Sequence, residues 1–67
     1  MKQSKLTPGE KMRELRGAKT KERVASDLGI SYSSYVKYER NERRPNDEIK
    51  VRIAKYFGKS VEYIFFA

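Results

Sequence analysis

The chain has 67 residues, with 16 lysines and arginines against 9 acidic residues, a net charge of +7, and neither cysteine nor histidine. Disulfides and Cys/His zinc sites are therefore excluded, and a domain this small needs a shared core of short helices instead. No apolar run is long enough to span a bilayer, and MKQSKLTPGE lacks the apolar stretch of a secretory signal, so a cytoplasmic location is expected. The positive balance suits a polyanionic partner such as DNA, RNA or an anionic membrane surface, and suits plain solubility equally well.

Residues 1–6 form a polar arm that is expected to fray. In Thr7-Pro8-Gly9-Glu10, Thr7 is placed to cap a helix, Pro8 suits the first helical position, and Glu10 completes a capping box. Met12 and Leu15 give this helix its apolar face and Gly17 stops it, so it covers about 8–16. Thr20 offers a second cap, with Glu22 in the first turn, where the helix dipole favours negative charge. Val24, Ala25 and Leu28 follow at helical spacing, and Gly29 permits left-handed termination. Only Ile30 separates Gly29 from Ser31, a third cap, and Tyr35 and Tyr38 carry the apolar face of a helix over roughly 32–39. After the polar basic loop Asn41 to Pro45, Asn46 caps a fourth helix with Ile49, Ile53, Tyr56 and Phe57 on its stripe, ended by Gly58. Ser60 caps a last short helix with Val61, Ile64 and Phe65 inward. No repeat, linker or second domain is visible. The reading is all-α: one domain over 1–67, a bundle of about five short helices, with no room for a separate effector domain.

The segment Lys21 to Tyr38, KERVASDLGISYSSYVKY, carries the functional signal. Its tight glycine-containing turn forces two helices to cross steeply, as in a helix-turn-helix. Val24 and Leu28 hold the first on the core, small Ala25 lets the second approach, and Ile30 plugs the elbow. With Tyr35 and Tyr38 beneath, Tyr32, Ser33, Val36 and Lys37 face out. A helix displayed in this way fits the roughly 12 Å wide major groove of DNA.

The stretches GEKMRELR, ERVASDLGIS, KYERNERRP and IAKYFGKSVEYIF occur in the order found in the Cro and phage-repressor type helix-turn-helix family, also called the XRE family, which the run from Gly9 to Phe65 resembles. The resemblance implies a five-helix domain that binds operator double-stranded DNA as a homodimer and regulates transcription, probing bases with its third helix. It implies base reading by Tyr32, Ser33 and Lys37, with Val36 placed to touch a thymine methyl. It implies phosphate contacts from Thr20 and Lys21, from Ser34, and from Arg40, Asn41, Arg43 and Arg44 around the recognition helix. It also implies a partly buried ion pair between Arg16 and Glu39 that joins the first helix to the third. Two departures stand out. The link GAKT is shorter than is common in the family, and Tyr35 stands where an aliphatic residue is usual, so its hydroxyl needs a partner if buried.

Phe66 follows an inward Phe65, and its exposed ring suggests a dimer contact. No histidine base, cysteine nucleophile, metal-ligand cluster or glycine-rich phosphate loop is present, so no enzyme activity, metal, cofactor or small-molecule ligand is expected. The rival reading is a protein-binding module, such as an antitoxin holding a toxin. The hydroxyls, Lys37 and basic flanks of the outward face favour DNA over that rival.

Overall fold

The computed structural model describes residues 6–66. They form five helices and no strand: α1 (Pro8–Arg16), α2 (Lys21–Leu28), α3 (Tyr32–Glu39), α4 (Asp47–Phe57) and α5 (Val61–Phe65). Residues 1–5, most of the arm expected to fray, lie outside the described residues. Among the described residues no helix is long and apolar enough to cross a membrane.

Each helix begins where a side chain can replace a missing backbone partner. Thr7, Thr20, Ser31, Asn46 and Ser60 each accept a hydrogen bond from the amide three residues on, at 2.9–3.2 Å. At α1 the arrangement is reciprocal, because Glu10 Oε1 accepts the Thr7 amide at 2.9 Å. A cap of this kind contributes about 1 kcal/mol, which matters to helices of two or three turns.

The core is made by Met12 of α1, Val24, Ala25 and Leu28 of α2, Tyr35 and Tyr38 of α3, Ile53 and Ala54 of α4, and Ile64 of α5. All five helices therefore depend on one small cluster. The elbow between α2 and α3 has its own local logic. Gly29 adopts φ 75°, which lets the Ile30 amide turn back to the Ala25 carbonyl at 3.0 Å. Ile30 then packs, half-buried, against the core.

Polar contacts bracket α2 against α4. Arg52 Nη1 donates to the Leu28 carbonyl at the end of α2, at 3.0 Å. Tyr56 donates its hydroxyl to Asp27 Oδ2 at 2.6 Å and accepts from Lys19 Nζ at 3.0 Å. Tyr56, with Arg23 beside it, holds the Asp27 carboxyl below the usual carboxylate range.

The backbones of α1 and α3 approach each other closely at Gly9. Gly9 is buried, and a Cβ there would collide with the Glu39 carbonyl oxygen and stand 2.9 Å from that of Tyr38. Both obstacles are backbone atoms, which no rotamer change can move. Gly9→Ala is therefore expected to lower stability by about 1–3 kcal/mol, the usual cost of overpacking, measured by urea unfolding. A loss below about 0.5 kcal/mol, typical of surface changes, would mean that α1 does not need this approach.

Candidate nucleic-acid interface

Helix α3 is anchored by one face and open on the other. Tyr35 is fully buried, and Tyr38 and Glu39 are also buried. On the opposite face Tyr32 is 48% exposed, Ser33 and Lys37 are exposed, and Val36 is half-buried. These four residues, with Arg40 and Glu42, line one shallow open depression. The candidate base-reading residues thus share a single surface. Glu42 was not among the residues singled out from the sequence. It closes one edge of the depression, where its carboxylate meets Arg40 Nε at 3.2 Å.

What holds this face in place is the grip of α1 on the end of α3. Arg16 Nε donates to Glu39 Oε2 at 2.7 Å, and Arg16 Nη2 donates to Glu39 Oε1 at 3.3 Å. The Glu39 side chain is only 2% exposed and that of Arg16 only 16%. Hydrogen bonding to this carboxylate raises the already high pKa of the guanidinium. The remaining guanidinium nitrogen, Nη1, donates to the Lys19 carbonyl at 2.9 Å, so the same side chain also fastens the short GAKT link. A bidentate pair at this depth fixes geometry well, and losing one partner leaves a buried charge uncompensated.

The candidate phosphate contacts divide into two groups. The side chains of Lys21, Arg43 and Arg44 make no ion pair or hydrogen bond among the described residues; Arg43 and Arg44 are exposed, and Lys21 is half-buried. Arg40 is exposed and, among the described residues, pairs with Glu42. The others also bond within the fold, and each keeps a hydrogen that it can donate. The Thr20 hydroxyl accepts from the Arg23 amide at 3.0 Å, and Ser34 Oγ accepts from Ser31 Oγ at 2.9 Å. Asn41 has a structural role beside the contact its sequence position suggested. Its Oδ1 accepts the Gly9 amide at 3.0 Å, and its Nδ2 donates to Thr7 Oγ1 at 2.9 Å. Its backbone is left-handed at φ 60°, the conformation that ends α3. Asn41 therefore clamps α1 to the end of α3, and its second Nδ2 hydrogen makes no bond among the described residues. Phe66, the dimer candidate, is 64% exposed, with Lys50 Nζ 4.9 Å from its ring centroid.

Against this geometry, the helix-turn-helix family model matches residues 10–64. The chain belongs to the XRE, or Cro and phage-repressor type, helix-turn-helix family. It is accordingly a DNA-binding transcription regulator of that type, and the family is a regulator class, not an enzyme class. A search of curated proteins finds no match.

Tyr35, the unusual aromatic of α3, lies beside the Arg16–Glu39 pair. Its buried hydroxyl faces both side chains but lies outside good hydrogen-bonding geometry with either. Burial, reinforced by the Glu39 carboxylate and partly offset by Arg16, pushes the phenol well above the ordinary tyrosine value of about 10. The sign of the pH effect follows. Below pH about 10 both folded and unfolded chains keep this proton, and above it only the unfolded chain loses it, so stability falls as pH rises. Tyr35→Phe removes an unsatisfied polar atom and should gain about 1 kcal/mol at neutral pH. The gain should widen in urea unfolding at pH about 10.5–11. A loss on Tyr35→Phe would mean that the hydroxyl is hydrogen-bonded in solution, and a difference that does not grow with pH would mean that the phenol is not raised.

Proposed function

We propose that this chain is a sequence-specific transcriptional repressor that acts in the cytoplasm. A homodimer inserts α3 of each subunit into successive major grooves of a pseudo-palindromic operator, with half-sites about 34 Å apart. The observation that carries this reading is the open depression on α3, where Tyr32, Ser33, Val36 and Lys37 lie together. Lys37 can donate to guanine O6 and N7, Ser33 can donate or accept, and Val36 can meet a thymine methyl. Glu42 at the edge disfavours a phosphate and can accept from a cytosine amino group, so the depression suits base edges better than backbone. Lys21, Arg40, Arg43 and Arg44 supply the backbone grip, helped by the N-terminus of α2 at Thr20. The exposed ring of Phe66 supports a contact between subunits.

Binding in this mode is strongly salt-dependent, with each neutralised phosphate adding about 0.9 to the magnitude of the slope of log K against log salt. Lys37 and Lys21 should then behave differently on an operator selected from genomic fragments. Lys37→Ala should cost about 1–3 kcal/mol on that operator and relax preference at one base position. Lys21→Ala should weaken operator and random duplex alike and lower the salt slope by about 1. Equal weakening of both duplexes by Lys37→Ala would make Lys37 another phosphate contact. If neither change alters affinity, α3 does not dock on DNA, and the protein-holding reading takes its place.

A further inference from the structure

A second concavity lies away from the outward face of α3, between the start of α1, the 41–45 loop, the start of α4 and the end of α5. It measures about 270 Å³, and Tyr38, Pro45 and Phe65 provide apolar walls. Three cations, Arg43, Arg44 and Lys50, line the same space. Lys50 is the informative one. Its side chain is only 15% exposed, which is unusual for lysine, and its nearest acid, Asp47, is 4.0 Å away and fully exposed. The rings of Phe66 and Phe65 lie 4.9 and 5.7 Å from its ammonium. These rings attract the charge but accept no strong hydrogen bond, so the ammonium keeps its donors for another group. Arg43 and Arg44 carry no acid partner among the described residues.

From these features we infer that the cavity is a binding site for a small aromatic anion, one ring bearing a carboxylate or phosphate. The ring would lie against Tyr38 and Phe65, and the anionic head would meet Lys50 and one or both arginines. The volume falls slightly below the roughly 300 Å³ where pockets for drug-sized ligands begin, which limits the occupant to about one ring. A bare inorganic anion would leave the apolar walls uncovered, and a neutral ring would leave the ammonium without an acceptor. If the reading of Arg43 and Arg44 as phosphate contacts is right, occupancy also withdraws them from DNA, and the site regulates operator binding.

The test is titration of the isotopically labelled full chain, without DNA, with phenyl phosphate and benzoate, followed by amide chemical shifts. Saturable shifts centred on Tyr38, Lys50 and Phe65 are expected. Inorganic phosphate and phenol should each bind at least about tenfold more weakly. Lys50→Met keeps the aliphatic stem and removes the donors, and it should weaken phenyl phosphate by about tenfold with an otherwise unchanged spectrum. Should that variant unfold, Arg44→Gln, a change on an exposed loop, provides the same comparison. Unsaturable shifts scattered over surface lysines would overturn the inference, as would phenyl phosphate binding no tighter than inorganic phosphate. A second titration with duplex present reads regulation: saturating phenyl phosphate should raise the apparent Kd for DNA, and an unchanged Kd would contradict the competitive role. Because the first titration contains no DNA, its result stands whether or not the operator-binding mode is correct.

Discussion

The bidentate pair between Arg16 and Glu39 is the contact on which the geometry of this domain turns. It does not act alone. Gly9 brings the α1 backbone against the carbonyls of Tyr38 and Glu39, and Asn41 ties the start of α1 to the end of α3 through Gly9 and Thr7. All three contacts fall on residues 38–41, the C-terminal end of α3. The other end of α3 is set by the tight elbow at Gly29 and Ile30. A helix held at its end by α1 and at its start by α2 can leave the face from Tyr32 to Lys37 uncovered without losing its position. Helix-turn-helix recognition asks for this, since the N-terminal residues of the second helix meet the bases.

Charge is divided between structure and surface. Arg16, Arg52 and Lys19 hold helices or links together through carbonyls, carboxylates and Tyr56. Lys37, Arg43 and Arg44 stand exposed without acid partners among the described residues. A buried ion pair is not a strong source of stability, because desolvation offsets most of the attraction. Its value here is geometric. A planar fork on a carboxylate defines both distance and orientation between α1 and α3, and an apolar pair of the same volume would define them less sharply.

The helices were legible in the sequence because their ends are governed by local chemistry. Thr7, Thr20, Ser31, Asn46 and Ser60 each bond an amide three residues away, and Gly29 and Gly58 carry the positive φ that stops α2 and α4. The outward face of α3 was legible for the same reason, since Tyr35 and Tyr38 at helical spacing define the buried side. The joints between helices were not. Gly9 shows nothing in sequence to say that a backbone 30 residues later lies against it. Asn41 looked like a member of a basic loop, although an asparagine just after a helix end is a known left-handed terminator, and that signal could have marked it as structural. Glu42 and Lys50 gain their significance only from neighbours that folding brings to them.

That α1 holds α3 through the Arg16–Glu39 pair is tested by a double-mutant cycle with Arg16→Met, Glu39→Gln and the double variant, read by urea unfolding. Either single change should cost about 3–5 kcal/mol, because it strands a buried charge or leaves its partner unmatched. The double variant should cost less than the sum by at least about 1 kcal/mol, within the range found for directly coupled residues. A coupling energy near zero would contradict the account, because it would mean that the two side chains act independently and that α3 is positioned without them.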